Sequence, residues 1–360
     1  MVRDDADDES IAAVSRTLYR QGMTDGLPVI PPTEERVEEM LRGTDTPDDA
    51  VIGRLGNDDN PITVAGLASN AVMAGCLPTH MPVLEAGVRA LADPDSNSIQ
   101  FSVSTGGWAY QWIVNGPVRG DVGIAGGTGA YGPNYRANRA IARALGIAYR
   151  NTAKIHPGEK DMGVMGNPFK FSLLLGEHEE ASPWEPYHVT AGYDEGDSTI
   201  SLSGPNSFVQ WEPAAAEAEA VLRGMLANTP PAMVSGEQQG GDFDQTITYV
   251  LCPASIDLLA DAGLSKRDVK RYVADNSAIP VDEFQKGVLW EGALEGYHGR
   301  VENAQVPQIR GPEYVRVVAG GGRTGRCDAV IGPSIGGPVT EPIDYPDGWS
   351  ALVAEYGPTE

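Results

Sequence analysis

Residues 108–150 read WAYQWIVNGPVRGDVGIAGGTGAYGPNYRANRAIARALGIAYR, and this stretch indicates the fold class. Its apolar start, Trp108 to Asn115, predicts a buried strand, and residues 123–132 predict a glycine-rich loop. Residues 135–150 then repeat apolar side chains at helical spacing, which predicts a helix. A strand, a loop and a helix in this order are typical of folds in which helices cover a sheet.

The same alternation of strands and helices continues on both sides of this stretch. Strands are predicted at residues 169–175, 199–202, 246–251, 314–319 and 328–331. Helices are predicted from near Ser10, at 34–42 with Thr33 as the cap, and at 63–75, 81–91, 212–227, 255–262 and 266–275. We therefore expect a layered α/β or α+β fold of two lobes, in which a mixed sheet has flanking helices.

Composition divides the chain into four segments. Residues 1–9 are expected to form a disordered acidic tail, and residues 10–229 an N-terminal lobe that holds the candidate pocket. The prolines and glycines of residues 230–244 predict a linker, which leaves residues 245–360 as a C-terminal α/β lobe.

The charge balance excludes two classes of partner. The chain has 50 acidic and 26 basic residues and a formal net charge of −24. Nucleic acid and anionic membranes both require a basic surface, so neither is an expected partner. Only six of the basic residues are lysines, and a highly negative, lysine-poor chain stays hydrated in concentrated salt. We expect a salt-adapted (halophilic) protein; the alternative is an acidic protein of a low-salt cytoplasm.

Cysteine content and hydropathy indicate the cytoplasm. The three cysteines include no CxxC pair, and residues 1–5 lack the pattern of a signal peptide. No apolar run reaches the roughly 18 residues of a membrane span. We expect a soluble, reduced, cytoplasmic protein.

The first candidate catalytic group is the segment MAGCLPTH at residues 73–80. Cys76 and His80 lie four residues apart across a turn, so they could act as nucleophile and base. They could also bind a divalent metal such as zinc. The alternative is a buried structural cysteine beside a histidine that has no catalytic role.

The second group is LGEHEEASPWEPYH at residues 175–188, which follows a predicted strand. Pockets of layered α/β folds open at strand ends. Clustered carboxylates and histidines can transfer protons there or hold a metal ion. We assign catalytic roles to Glu179, Glu180 and His188 and regard His178 as a further metal-ligand candidate. The alternative is an exposed acidic loop.

The third group surrounds the glycine-rich loop. Such a loop, running into a helix start, presents backbone N–H groups to an anion, and arginines can add a clamp. The loop is interpreted as neither a P-loop nor a dinucleotide fingerprint, so no nucleotide cofactor is expected. A purely structural loop is the alternative. The candidate substrate-binding residues are Asn115, Arg119, Gly126, Gly127, Arg136, Asn138, Arg139 and, on a second glycine-rich loop, Arg323.

Six segments show a family resemblance: residues 25–33, 73–76, 113–119, 135–138, 179–186 and 318–321. They resemble an uncharacterised bacterial and archaeal family called UGSC-like, after a selenocysteine-Gly-Ser-Cys motif in an associated domain. The resemblance extends from about Asp25 to Ile343. It implies an enzyme-like pocket, thiol chemistry and a partner protein that contains the selenocysteine-type domain.

The chain also departs from the family pattern. The namesake motif is absent. Gly325-Arg326-Cys327 stands where family members have Lys-His-Ser, and Pro253-Ala254-Ser255 stands where they have Pro-Glu-His. Two family histidines are therefore missing, which implies altered chemistry.

Together these features favour an enzyme that acts on a small anionic metabolite through lyase, hydrolase or isomerase chemistry. A divalent metal in the same pocket is one variant of this hypothesis. The alternative, which the missing histidines favour, is a noncatalytic subunit or binding protein of a two-component thiol/selenol redox system. The small residues of the helix at 63–75 allow close packing, so a homo-oligomer is also expected.

Overall fold

The computed structural model describes residues 7–230, 245–282 and 304–358. Helix α1 begins at Asp7, three residues before the predicted start near Ser10. The tail predicted at residues 1–9 therefore overlaps this helix, and its residues 1–6 lie outside the described ranges. The linker predicted at residues 230–244 also lies outside them, apart from Pro230.

Helices and strands alternate along the described ranges. The helices there are α1 Asp7–Arg20, α2 Glu34–Leu41, α3 Val64–Ala74, α4 Met81–Ala92, α5 Ser98–Val103, α6 Val118–Val122, α7 Arg136–Ala153, α8 Tyr187–Thr190, α9 Ala218–Ala227, α10 Pro253–Asp261, α11 Lys266–Asn276 and α12 Trp349–Tyr356. The strands are β1 Val51–Leu55, β2 Asn60–Thr63, β3 Gln111–Asn115, β4 Leu173–Gly176, β5 Thr199–Ser203, β6 Phe208–Trp211, β7 Thr246–Leu251, β8 Ala278–Pro280, β9 Gln305–Pro307, β10 Val315–Ala319, β11 Asp328–Ser334 and β12 Val339–Pro342. None of these helices has the length and apolar character needed to cross a membrane.

Eight of the strands form two four-stranded mixed sheets. In the first sheet, with the order β12-β5-β3-β4, β3 is parallel to β4 and antiparallel to β5. In the second sheet, with the order β10-β7-β11-β6, β10 is parallel to β7, and β11 is antiparallel to both β7 and β6. The pairs β1–β2 and β8–β9 are separate and antiparallel. The predicted α/β or α+β fold with mixed sheets and helices is confirmed.

The sheets and helices pack in layers. Successive residues of a strand face opposite sides, so Trp112 and Val114 pack with α3, α4 and α7, whereas Ile113 belongs to the core between the sheets. Val250 and Val318 of the second sheet pack in that same core. The other face of the second sheet packs against α9, α10 and α11. Two stacked sheets thus lie between two layers of helices.

The two sheets do not divide the chain at the predicted linker. Strand β6 precedes residues 230–244 but pairs with β11 of the second sheet. Strand β12 lies near the other end of the chain but pairs with β5 of the first sheet. Each sheet therefore takes strands from both sides of these residues, because a strand joins the sheet that satisfies its backbone groups, whatever its place in the sequence.

Local signals account for helix α3. The Thr63 side chain accepts a hydrogen bond from Gly66 N at the helix start, and Gly75 ends the helix with a φ of 84°. The small residues of α3 pack within the chain, against α2 and α7. They therefore do not require a second copy, and the homo-oligomer stays a prediction. Thr33 occupies the cap position of α2, but its side chain makes no capping hydrogen bond.

Candidate functional site

The second and third candidate groups meet at one edge of the first sheet. Strands β3 and β4 are parallel, so their carboxyl ends, Asn115 and Gly176, lie at the same edge. The end of β10 reaches this place too, because Ala319 N donates a 3.2 Å hydrogen bond to Glu177 Oε1. Three strand ends therefore surround the residues that follow β4. Layered α/β folds place ligand sites in this position.

Glu177 joins the two sheets at this edge. The residue is only 1% exposed, and its Oε2 accepts hydrogen bonds from Asn115 Nδ2 at 2.7 Å and Tyr187 N at 2.6 Å. Lys266 Nζ, on α11, lies 3.5 Å from Oε1. These donors compensate the buried charge, so Glu177 has a structural role. Neither Glu177 nor Lys266 was among the predicted site residues; the available signal was a carboxylate directly after an apolar strand.

Arg119, predicted to bind substrate, is held by the protein's own acceptors. Its Nη2 lies 2.7 Å from Glu179 Oε2 and 2.8 Å from Glu180 Oε1. Nη1 donates to Glu177 O at 2.6 Å and to Glu180 Oε2 at 3.3 Å, and Nε donates to Gly116 O at 3.0 Å. These contacts use all the N–H groups of a guanidinium. The geometry therefore does not favour Arg119 as an anion clamp.

Glu179 and Glu180 have different surroundings. Glu179 Oε1 accepts hydrogen bonds from Asn115 Nδ2 at 2.8 Å and Gly116 N at 2.9 Å. The Glu180 side chain is 70% exposed, and its hydrogen bond with Arg119 lowers the pKa of its carboxyl group. Glu180 is therefore ionised at neutral pH. It can stabilise a nearby positive charge, but it has no proton to donate as a general acid.

His188 lies behind these glutamates and is fully buried. Among the described residues, neither of its ring nitrogens has a hydrogen-bond partner, and Asn115 Oδ1 also has none. His188 Nδ1 lies 4.0 Å from Glu179 Oε1. Buried polar groups without partners are rare and need an explanation such as a bound water or a functional role. His188 adjoins the strand-end cluster, but solvent does not reach its ring.

His178 has a fixed tautomer at the same strand end. The residue is half-buried, and its Nδ1 lies 3.1 Å from the carbonyl oxygen of Gly321. A carbonyl oxygen only accepts hydrogen bonds, so Nδ1 carries the proton and Nε2 of the neutral ring holds the lone pair. The sequence pattern predicts a catalytic role for His188 and only a metal-ligand role for His178, because it does not indicate the contact with Gly321, which is 143 residues away along the chain.

The glycines of the two loops allow close backbone packing around His178. A Cβ at Gly126 would overlap the carbonyl oxygen of Gly176. Gly321 N donates a 2.8 Å hydrogen bond to Gly126 O, which joins the two loops directly. A Cβ at Gly127 would lie 3.7 Å from His178 Cε1. Close packing against the end of β4 therefore explains Gly126 without contact to an anion, whereas a Cβ at Gly127 would make only an ordinary van der Waals contact.

The glycine-rich loop is not assigned as a dinucleotide site. Gly127, Gly129 and Gly132 do have the spacing GxGxxG, which indicates such a site only where the loop joins a strand directly to a helix. Helix α6 lies between β3 and this loop. The loop therefore lacks the direct strand–loop–helix order that the dinucleotide fingerprint requires.

The side chains of Asn138, Arg139 and Arg136 are held by backbone groups of the protein, and the first two hold the glycine-rich loop in place. Asn138 donates to Ala125 O and Leu174 O and accepts a hydrogen bond from Ala125 N. Arg139 donates to four backbone oxygens of the loop and of the β4 region. Arg136 donates to the backbone oxygen at the end of α3. These contacts favour the structural alternative for all three side chains.

Cys76 and His80 are both buried in the helical layer of the first sheet. Burial raises the pKa of the Cys76 thiol and lowers the pKa of the His80 imidazole to about 3. His80 Nδ1 accepts a 3.3 Å hydrogen bond from Leu77 N. At neutral pH the pair is therefore a thiol and a neutral imidazole, whereas a nucleophilic cysteine needs a lowered pKa. The geometry favours the structural alternative here as well.

The proposed metal ligands do not assemble in the described part of the chain. Across residues 7–230, 245–282 and 304–358, no group of three or more histidine, cysteine, aspartate or glutamate side chains is arranged to hold a metal ion. Cys76 and His80 lie in a helical core, whereas His178 and His188 lie at the strand ends. The described geometry therefore offers no divalent-metal centre among these candidates.

Arg323 is an accessible cation beside the residues that follow β4. Its Nη1 lies 2.9 Å from Asp257 Oδ2, and the two side chains are 58% and 48% exposed. Its Nη2 donates to Ala181 O at 3.3 Å. An exposed ion pair contributes little free energy. Arg323 can therefore exchange Asp257 for the anionic group of a bound molecule.

Comparison with known proteins shows no family for this chain. No protein-family model matches the sequence. A search of the curated proteins also finds no match. The resemblance to UGSC-like proteins therefore stays a prediction from the six sequence segments.

Proposed function

We propose that this protein is an enzyme that transfers protons on a small anionic metabolite, in a reaction of the lyase, hydrolase or isomerase type, with His178 as general base. The main supporting observation is the 3.1 Å hydrogen bond between His178 Nδ1 and Gly321 O. It holds one tautomer of the ring at the edge where β3, β4 and β10 end. A general base needs a lone pair that is positioned to accept a proton, and Nε2 of this tautomer has one.

Glu180 supports His178 in this role. Arg119 keeps the Glu180 carboxyl group ionised, and that carboxylate interacts electrostatically with His178. A neighbouring negative charge stabilises the imidazolium that forms when Nε2 takes up a proton. Glu179 and His188 lie behind this surface, where Glu179 fixes Arg119. We regard Glu180 and Glu179 as positioning residues and His178 as the group that meets the substrate.

Arg323 supports the anionic character of the substrate. Its guanidinium donates to Ala181 O, two residues after Glu179, and its ion pair with Asp257 is exposed. A carboxylate or phosphate bound by Arg323 would be held beside the edge at which His178 accepts a proton. The protein would thus bind the charged end of its substrate and transfer a proton at a neighbouring atom.

The experiment is a proton-exchange assay with a panel of small carboxylates and organic phosphates. In D₂O, ¹H NMR detects deuterium entering a C–H bond whenever the enzyme removes and returns that proton, and it also detects the new signals of any compound that the enzyme hydrolyses. We expect exchange or hydrolysis of at least one compound. His178→Asn keeps a donor for Gly321 O but lacks the base, so it should slow this exchange about 100-fold or more.

His156→Asn is the matched control, because His156 packs against Gly22, away from the strand ends. It should exchange protons at the wild-type rate. Arg323→Gln should raise the concentration needed for half-maximal exchange and leave the maximal rate much less changed. The proposal is wrong if no compound of the panel exchanges a proton or is hydrolysed, or if His178→Asn reacts as fast as the wild type.

The second candidate function is that of a noncatalytic subunit in a two-component thiol/selenol system. Burial raises the pKa of all three thiols, Cys76, Cys252 and Cys327. Each thiol is therefore protonated and weakly nucleophilic at neutral pH. The reactive thiol or selenol would then belong to a partner protein with the selenocysteine-type domain. Stable binding of such a partner by both the wild type and His178→Asn, without proton exchange by either, would favour this candidate.

The departures from the family pattern also lie together in the fold. Ser255, at the position of one missing histidine, donates a 2.8 Å hydrogen bond to Asp328 Oδ2. Asp328 directly follows Cys327, and Cys252 Sγ lies 3.7 Å from Gly325 O. Two separate segments that differ from the resembled family thus meet at one place. Their proximity supports the hypothesis that the chemistry at this place differs from that of the resembled family.

A further inference from the structure

A cavity of about 190 Å³ lies at the opposite end of the first sheet from His178. Its walls come from α7 and from the segments that precede β3 and β4, where Tyr110 and Phe171 stand. The strand-end site, in contrast, adjoins the carboxyl ends of the same two strands. This cavity is therefore separate from the proposed catalytic site, and the inference drawn from it does not depend on that site.

The polar side of the cavity has one unmatched positive charge. Arg143 forms two hydrogen bonds with the Asp25 carboxylate, at 2.7 and 2.9 Å. Lys170 Nζ lies 3.0 Å from Asp161 Oδ2. Arg150 also lines the cavity, but its buried Nε has no hydrogen-bond partner. Its guanidinium makes no ion pair with any residue of the described ranges, although the whole chain has a net charge of −24.

The other side of the cavity is apolar and aromatic. Ile147, Ile155 and Phe171 line it together with the rings of Tyr110 and Tyr149, whose centroids are 5.8 Å apart. An apolar protein cavity of about 150 Å³ is large enough to bind benzene. The cavity here is therefore large enough for one aromatic ring and a small attached group.

We propose that this cavity binds a small aromatic monocarboxylate of about the size of benzoate. The carboxylate pairs with Arg150, whose planar guanidinium matches a carboxylate in two parallel hydrogen bonds. The ring packs against Phe171, Tyr110 and Ile155. A second negative charge on the ligand is disfavoured, because Arg143 and Lys170 are already neutralised by Asp25 and Asp161. The site therefore favours a ligand that has one negative charge and one aromatic ring.

The test is isothermal titration of the full-length protein with sodium benzoate and with benzamide, which has the same shape but no charge. We expect saturable benzoate binding and binding of benzamide that is weaker by about tenfold or more. Arg150→Gln should weaken benzoate binding by a similar factor and leave the benzamide affinity unchanged. Since Arg150 has no partner to lose among the described residues, this variant should keep the wild-type melting temperature.

Two control variants are expected to bind benzoate as the wild type does. Arg54→Gln removes an exposed arginine that pairs with Asp59 in the β1–β2 hairpin, and it should bind benzoate as the wild type does. His178→Asn should also retain benzoate binding, since its site is separate. The proposal is overturned if benzoate does not bind at millimolar concentrations, if benzamide binds equally well, or if Arg150→Gln binds benzoate with wild-type affinity.

Discussion

A single carboxylate, that of Glu177, connects the two sheets at the candidate site. It accepts hydrogen bonds from Asn115 on the first sheet and from the backbone of Ala319 on the second. It also accepts a hydrogen bond from Tyr187 N at 2.6 Å, and the ammonium group of Lys266 adds a fourth contact at 3.5 Å. The position of the strand ends, and therefore of His178, depends on these contacts.

Glu177→Gln is expected to lower the free energy of unfolding by about 3–5 kcal/mol. The amide cannot accept hydrogen bonds from every donor, and it leaves the Lys266 charge without its carboxylate. Urea unfolding followed by circular dichroism measures the change. Glu219→Gln is the control, because Glu219 forms an exposed pair with Arg223 and should contribute less than about 1 kcal/mol. Equal effects of the two substitutions would contradict the structural role of Glu177.

Two histidines of one short segment have different environments. His178 is half-buried and bonded to Gly321 O, whereas His188 is fully buried, with both nitrogens unpartnered among the described residues. Both follow the same apolar strand, and the sequence predicts the catalytic role for His188 and only metal ligation for His178. The difference arises from the loop after β10, which reaches only one of the two rings.

The glycine-rich loop between α6 and α7 packs closely against the end of β4. Gly126 leaves no room for a side chain, because a Cβ there would meet Gly176 O and would lie 3.0 Å from His178 N. Gly126 O also accepts the hydrogen bond from Gly321 N. The loop therefore has to stay close to the end of β4 for the two glycine-rich loops to meet.

Gly126→Ala is expected to lower the free energy of unfolding by about 1–3 kcal/mol, as overpacked sites do. It should also slow the proton exchange assigned to His178, because the added methyl group pushes the loop away from His178 N. Gly120→Ala is the control: in α6, nothing lies within 4 Å of a Cβ at Gly120. Alanine is the better helix former, so the control should be neutral or stabilising. A neutral Gly126→Ala would show that the loop is free to move.

The turn between α3 and α4 contains a histidine that stays uncharged in the folded protein. Burial lowers the pKa of His80 from 6.5 to about 3. Between these values the unfolded chain binds a proton that the folded chain does not bind. The free energy of unfolding therefore decreases as the pH falls from 6.5 toward about 3.

His80→Asn should remove this pH dependence. Asparagine keeps an acceptor for Leu77 N but does not titrate. Between about pH 7 and about pH 5, we expect the variant to lose roughly 1–2 kcal/mol less stability than the wild type. Urea unfolding of both proteins at the two pH values measures the difference. Parallel losses would mean that His80 is protonated in the folded state.

The net charge of −24 acts on the folded chain as a whole. Like charges on a compact surface repel one another, and this repulsion falls when salt shortens the screening length from about 10 Å at 0.1 M to about 3 Å at 1 M. We therefore expect the melting temperature to rise as KCl increases from about 0.1 M to about 2 M. Scanning calorimetry measures this shift. A melting temperature that is highest at low salt would contradict the predicted salt adaptation.

Several elements follow from local sequence alone. Strand β7 spans residues 246–251 as predicted, because its β-branched and apolar residues form one short run. Helix α3 lies between the cap of Thr63 and the left-handed Gly75, both of which are local signals. Helix α9, in contrast, begins at Ala218 and not at Glu212. Strand β6, Phe208–Trp211, is not predicted, because it forms by pairing with β11, which is more than 100 residues away.

The amino-acid sequence by itself determined the fold class, eight of the twelve described helices, six of the twelve described strands and the segment that holds the candidate site. These properties depend on composition, periodicity and caps, which involve neighbouring residues. Tertiary structure determined which sheet each strand joins, why Glu179 and Glu180 pair with Arg119, and why His178 is half-buried whereas His188 is fully buried. The physical reason is that the contacts which satisfy or leave free a side chain's charge and hydrogen-bonding groups come from partners distant in the chain. The local sequence does not indicate those partners.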